Sequence, residues 1–132
     1  MPVAAAPALS RPTVLVIEDY ADTRKLISSL LRQDGFHVIE AEDGVEGLLK
    51  AGASYPDLVI MDLALPEMDG VETARRIHQM PKLSRTPIFV ISAWLTKEVE
   101  ADARAAGCIE VFSKPFDIDE LIGRVRASLG HA

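Results

Sequence analysis

Glu18 and Asp19, Asp62, Ser92 and Lys114 stand at the exits of short apolar runs: Val14–Ile17, Leu58–Met61, Ile88–Ile91 and, after Ser113, Ile109–Phe112. Brought together, three carboxylates, a hydroxyl and an ammonium would have a definite chemistry. Two carboxylates about 5 Å apart repel by roughly 3 kcal/mol at an effective dielectric near 20, so three clustered acids call for a cation. The donors on offer are oxygens. His37, His78 and His131 are widely separated and read as surface or core-edge side chains, so Mg2+ fits the set better than zinc. A metal ion beside a carboxylate, a hydroxyl and a lysine is the recurring apparatus of phosphoryl transfer: a nucleophile, a charge neutraliser and partners for the equatorial oxygens. Asp62 is the candidate nucleophile.

Taken singly, each polar residue reads equally well as the N-cap of a following helix. The set does not. Asp62 is followed by Ala64-Leu65-Pro66 rather than directly by a helix, and Lys114 cannot cap an N-terminus.

The elements that carry these residues follow from hydrophobic period. Five apolar runs alternate with five segments of helical period between Thr13 and Leu129, which is a series of βα units. The remaining strand is Phe36–Glu40. The first helix carries Leu26, Ile27, Leu30 and Leu31 on one stripe and stops at Gly35; the second has Val45, Leu48 and Leu49 on its inner side. Asp69-Gly70 opens the third, with Val71, Ala74 and Ile77 inward, closing near Pro81. The fourth, Lys97–Ala106, has Val99 as its only large apolar residue, so its anchorage should be weak. The fifth opens with Asp117 and Glu120 in capping-box spacing and carries Ile118, Leu121, Ile122, Val125 and Leu129.

Strands one, three and four are continuously apolar, as parallel strands covered on both faces must be, whereas His37 and Glu110 mark strands two and five as edges. Right-handed crossovers then give the order 2-1-3-4-5: a flavodoxin-like α/β sandwich, a five-stranded parallel sheet with helices on both faces. Ligands of such sheets bind beyond the carboxyl ends of the strands, where the order reverses. That rim holds Glu18, Asp19, Asp62, Ser92 and Lys114, with Asp62 on the central strand of the trio.

The chain has 132 residues with 14 Lys+Arg against 20 Asp+Glu, a formal charge of −6. That is one domain, and its acidic balance and few aromatic residues exclude a phosphate-backbone binder, so no direct nucleic-acid partner is expected. The single Cys108 cannot close an internal disulfide, which points to a reducing compartment, the cytoplasm. Residues 1–12, Ala-rich and broken by Pro2, Pro7 and Pro12, read as a flexible tail before a domain over 13–132. No run is long enough for membrane insertion.

The segments VLVIEDY (Val14–Tyr20), DLVIMDLALPEMDG (Asp57–Gly70), PIFVISAW (Pro87–Trp94) and VFSKPF (Val111–Phe116) resemble, in order and spacing, the receiver domain of two-component response regulators. The resemblance implies that Asp62 accepts a phosphoryl group from a phosphohistidine on a sensor histidine kinase or histidine phosphotransfer protein. It also implies Mg2+ held by Asp19, Asp62, the backbone carbonyl of Ala64 and, through a water, Glu18. Ser92 and Lys114 would hold phosphoryl oxygens, and Lys114-Pro115 would be a cis peptide. Tyr20, Arg24 and Phe116 are guesses for kinase docking on the same footing, with a structural role equally open for Phe116. One departure concerns switching: the position three before the lysine, usually aromatic, is Val111, and Phe112 faces the opposite side by the strand's period of two.

With no output module expected after Leu129, the reading is a stand-alone receiver that signals through protein contacts to an unknown target, with the fourth helix and fifth strand as partner face. The protein is then a phosphoacceptor assisting its own phosphorylation and dephosphorylation, and not a conventional enzyme. Two alternatives stand beside it: a phosphorylation-independent binding module that keeps the fold, against which the intact acid, serine and lysine set argues, and a small metal-dependent aspartyl-phosphate phosphatase. Such a phosphatase needs a second acid near the nucleophile and a cap, but Ala64 stands where the acid would be and no insertion supplies a cap.

Overall fold

Alternation along each strand sends its side chains to two packing layers, and the layers account for the architecture. The computed structural model describes residues 11–66 and 68–130. Its elements are β1 (Thr13–Ile17), α1 (Ala21–Gln33), β2 (His37–Ala41), α2 (Gly44–Ser54), β3 (Leu58–Asp62), α3 (Gly70–Gln79), β4 (Ile88–Ser92), α4 (Lys97–Ala105), β5 (Cys108–Ser113) and α5 (Ile118–Leu129), with a single 3-10 turn at Pro81–Leu83. The five strands are parallel in the order β2-β1-β3-β4-β5. This is the expected flavodoxin-like sandwich.

Val14, Val16, Leu58, Ile60, Phe89 and Ile91 pack on one face with Ile27 and Leu31 of α1 and with Leu121, Ile122 and Val125 of α5. Leu15, Ile17, Val59, Met61, Ile88 and Val90 pack on the other with Ala51 of α2, Ala74 and Ile77 of α3 and Ala103 of α4. Burying each large aliphatic side chain contributes about 1.5–3 kcal/mol, so both layers bind the sheet firmly. The α4 helix is the exception. Ala103 is its only fully buried residue, with Val99 partly buried against the core. Val111 and Phe112 lie in opposite layers, as the period of two requires.

Two helix faces differ from the sequence reading. In α2, Val45 and Leu49 point to solvent, Leu49 being 71% exposed, and the inner face is Gly44, Gly47 and Ala51 with Leu48 beside them. Clearance decides this: a Cβ at Gly47 would lie 2.5 Å from Ile17 Cδ1, so only small residues let α2 lie on β1. In α1, Leu26 is exposed and the buried stripe runs through Arg24, Ile27, Ser28 and Leu31. Arg24 comes inward because it finds buried acceptors, described below.

The turns follow their chemistry. Asp43, Asp69 and Thr96 cap α2, α3 and α4 by accepting the N–H three residues on, and Asp117 accepts from both Asp119 and Glu120. Gly35 and Gly107 end α1 and α4 at φ of 95° and 101°, a region costly for other residues. The expected tail over 1–12, apart from Arg11 and Pro12, and His131 lie outside the described residues. No helix among the described residues is long and apolar enough to cross a membrane.

Candidate functional site at the C-terminal rim of the sheet

Glu18 leaves β1 with its N–H on the carbonyl of Ala41 at 3.0 Å, which continues the β1–β2 ladder one residue further. Its side chain turns under the rim and is only 1% exposed, while Asp19 beside it is exposed. Asp62 and Ser92 are the last residues of β3 and β4 rather than the first beyond them, and both are buried. Asp62 pairs in register with Ile91, which places Ser92 one residue further along the neighbouring strand. Carboxylate oxygens of Glu18, Asp19 and Asp62 all lie within 4.8 Å of one another.

Lys114 reaches this cluster from the far side. Its N–H is held by the carbonyl of Ser92 at 2.8 Å, and the peptide that follows, Lys114-Pro115, is cis. Its Nζ donates to Asp62 Oδ2 at 2.6 Å and to Glu18 Oε1 at 3.2 Å. The other Asp62 oxygen accepts from the N–H of Ala64 at 2.8 Å, and Ser92 Oγ accepts from the N–H of Trp94 at 3.2 Å. The strand-exit turns therefore fold their own amides onto the polar side chains.

Electrostatics agrees with the geometry. Burial, and next the charge of Asp62, pushes the Glu18 carboxyl from its ordinary 4.5 up to about 7, against the opposing pull of the Tyr20 N–H and Lys114. Burial alone would lower the Lys114 ammonium, but its bond to Asp62 and the charges of Asp62 and Glu18 outweigh this and raise it. Three acids face one ammonium.

The geometry brings Glu18, Asp19, Asp62 and Lys114 into one cluster, with Ser92 adjoining. Ala64 stands exposed at the rim beside Asp62. Trp94, 81% exposed, borders a hollow of about 260 Å3 that it shares with Leu63, Ala64, Asp69, Val71, Ser92 and Val99. Phe116 is half-buried against the α1–α5 layer, which is the structural alternative left open for it, while Tyr20 is exposed. Arg24 does not fit a docking role, because it is buried beneath the site. A larger cavity of about 470 Å3 between α1 and α5, lined by Leu30, Gln33, Asp34, Asp119, Ile122 and Arg126, includes none of the clustered residues.

Two residues contribute in roles that the sequence reading does not give them. The sequence marks Gly70 only as a helix start, yet its N–H bonds the Leu63 carbonyl at 2.9 Å, and a Cβ there would meet Leu63 Cα at 2.6 Å and the Asp62 carbonyl oxygen at 2.9 Å. It lets α3 press against the turn that carries Asp62. Arg24 donates from Nη1 to the Glu18 carbonyl at 2.8 Å. Its signal was a charged residue in phase with Ile27 and Leu31 on the inner stripe.

The family described as "Response regulator receiver domain" matches residues 14–126. The KDP operon transcriptional regulatory protein KdpE of Escherichia coli (strain K12) is 40% identical over 116 residues, 88% of this chain; the chain spans 50% of that relative's length. The polar-differentiation response regulator DivK of Brucella ovis is 31% identical over 120 residues, covering 91% of this chain and 98% of DivK. Among solved structures, the receiver domain of the sensor histidine kinase PA1611 from Pseudomonas aeruginosa PAO1, with a magnesium ion coordinated in its active site cleft, superposes with a TM-score of 0.83 at 26% identity, over 92% of this chain and 99% of that one. An acidic rim on a 2-1-3-4-5 sheet, closed by a lysine from the fifth strand's exit, thus coincides with a match over most of the chain, and the protein belongs to the response regulator receiver domains of two-component systems.

Proposed function

We propose that this chain is a phosphoacceptor of a two-component system or phosphorelay, taking a phosphoryl group on Asp62 from a phosphohistidine of a sensor histidine kinase or histidine phosphotransfer protein. The observation that carries the reading is the position of the Asp62 carboxylate, with Lys114 Nζ on one oxygen at 2.6 Å and the Ala64 amide on the other at 2.8 Å. The Asp62 oxygen forms the new O–P bond as the N–P bond of the phosphohistidine breaks, and the imidazole leaves with a proton. Lys114 and the Ser92 hydroxyl hold phosphoryl oxygens as charge builds on them.

The donor set fits Mg2+: oxygens from three acids lie within 4.8 Å, Glu18 and Asp62 are buried, and burial together with the charge of Asp62 pushes Glu18 towards its neutral form. Asp19, Asp62 and the Ala64 carbonyl would hold the ion, with Glu18 acting through a water. When bound, Mg2+ supplies the charge neutralisation that the phosphoryl group needs at this rim. Hydrolysis of the aspartyl phosphate at the same site returns the chain to its starting state, so it assists its own dephosphorylation without being a conventional enzyme.

For the donor, the face beside the site offers exposed Tyr20 and Leu26 and a hollow of about 330 Å3 lined by Thr23, Leu26, Lys114, Pro115, Phe116 and Ile118. The proposed compartment is the cytoplasm. Output is a protein contact that changes with phosphorylation. Incubation with Mg2+ and a small-molecule phosphoryl donor tests the reading. Stable labelling of the wild type, lost in Asp62→Asn, is the expected result. No labelling would favour a phosphorylation-independent module, and rapid multiple turnover of the donor would favour a phosphatase.

A further inference from the structure

Arg24 is 8% exposed, on the buried stripe of α1. A buried guanidinium needs acceptors, and this one has two. Nη1 donates to the carbonyl of Glu18 at 2.8 Å and Nε to Glu40 Oε1 at 3.1 Å. Glu40, on edge strand β2, is fixed in turn: Oε2 accepts from Arg32 at 3.2 Å, and the Glu40 carbonyl accepts from Lys50 Nζ at 2.6 Å. Residue 18 is therefore gripped at both its backbone groups, its N–H by the Ala41 carbonyl at 3.0 Å and its carbonyl by Arg24.

The grip has a consequence for the acids. Rotation of the Glu18–Asp19 peptide would carry the Asp19 side chain away from Asp62 and break the bond from the Tyr20 N–H to Glu18 Oε2 at 3.2 Å. The β1–β2 ladder fixes only the amide side of residue 18; the carbonyl side depends on Arg24. Only a planar fork reaches a backbone oxygen and a carboxylate at once, which a lysine ammonium on a flexible stem does poorly.

We propose that Arg24 is a positioning residue for the Glu18–Asp19 pair, and that Glu40, braced by Arg32 and Lys50, holds Arg24 in place. The part of this that concerns Mg2+ rests on the phosphoacceptor reading; the part that concerns the peptide does not. The test compares the wild-type chain with Arg24→Met, Arg24→Lys and Glu40→Gln. In Arg24→Met the Glu40 carboxylate keeps Arg32, so it is not left unpaired. Glu40→Gln keeps the guanidinium and decides the matter should the methionine variant fail to fold.

Amide hydrogen exchange of the metal-free proteins is read at Glu18 and Tyr20 against β3 and β4, and Mg2+ affinity is read by calorimetry with MgCl2 alone. Expected in Arg24→Met are faster exchange at Glu18 and Tyr20 with β3 and β4 unchanged, and Mg2+ binding weakened about tenfold, the usual scale for losing a residue that orients a ligand. Lysine should recover part of both effects, and Glu40→Gln should shift both in the same direction by less. Unchanged exchange and affinity in the folded variants, or exchange accelerated equally everywhere, would overturn the proposal and leave Arg24 as a packing residue. Failure of the wild type to bind Mg2+ would strike the phosphoacceptor reading instead, and the metal-free exchange would still decide the role of Arg24.

Discussion

Replacing Glu18 by glutamine should stabilise the metal-free protein above neutral pH and reduce its stabilisation by Mg2+. Burial first, then the charge of Asp62, raises the Glu18 carboxyl from 4.5 to about 7 in the folded chain. Between those values the folded chain keeps a proton that the unfolded chain has released. The unfolded state then binds fewer protons, so stability falls as pH rises through that interval and stays at the lower level above it. At about 1.4 kcal/mol per unit, the ionised side chain costs the fold about 3 kcal/mol. Glutamine has no such titration. Its stability advantage over the wild type should be near zero at about pH 4.5 and approach 3 kcal/mol at about pH 8, or roughly 11 °C in Tm for a chain of this size. Urea melts at a series of pH values give the difference, with the carboxylates that do not touch Glu18 cancelling between the two proteins and the release of Asp62 from its charged neighbour included in it. Repeated with Mg2+ at about 100 times its Kd, the wild type should gain about 2.7 kcal/mol and the variant much less. A constant offset between the proteins at every pH, or equal stabilisation of both by Mg2+, would refute the reasoning.

Gly70→Ala should cost about 1–3 kcal/mol in urea melts and slow Asp62 labelling, because the atoms a Cβ would meet, Leu63 Cα and the Asp62 carbonyl oxygen, are backbone and can yield only by moving the turn. Leu31→Ala should cost about 2–5 kcal/mol by leaving a cavity under α1, while Leu49→Ala on the exposed face of α2 should change stability by less than about 0.5 kcal/mol, which urea melts of the pair will check. With Ala103 its only fully buried residue, α4 should reorder at lower cost than α5; hydrogen exchange with and without a phosphoryl mimic should change between Trp94 and Phe112, and unchanged protection there would count against α4 as the responsive element.

Strand order was legible because burial of a parallel strand leaves a direct trace: Val14–Ile17, Leu58–Met61 and Ile88–Ile91 are apolar without interruption, and His37 and Glu110 interrupt the two strands that prove to be edges. The shared rim of Glu18, Asp19, Asp62, Ser92 and Lys114 was legible for the same reason, since the exits of parallel strands all lie on one side. Helix faces were harder to read. Hydropathy places Val45 and Leu49 inward, but the contact between α2 and β1 is set by clearance at Gly47, a quantity no periodicity reports. Hydropathy likewise turns an arginine outward, and Arg24 is buried because the Glu18 carbonyl and the Glu40 carboxylate, sixteen residues away in sequence, meet its guanidinium in the fold. Both misreadings arise where the deciding partner lies on another element.

The donors at the rim are already engaged before any phosphoryl group arrives. Lys114 Nζ is on Asp62 and Glu18, the Ala64 amide is on the free oxygen of Asp62, and the Trp94 amide is on Ser92 Oγ. On the phosphoacceptor reading, the bond to phosphorus consumes one Asp62 oxygen and the carboxylate's own charge, while about 1.5 to 2 negative charges arrive on the phosphoryl oxygens, a net gain of about one. Lys114 can turn from a carboxylate to those oxygens, exchanging one charged acceptor for another, and Ser92 can rotate its hydroxyl. Groups that stabilise the resting acids thereby become the groups that hold the product, so the site needs little new order to accept it. Lys114 neutralises the buried acids in the resting state, where Asp62 also keeps its amide donor, and has more to supply afterwards, when the negative charge beside it has grown. Its removal should therefore weaken the phosphorylated form more than the resting fold.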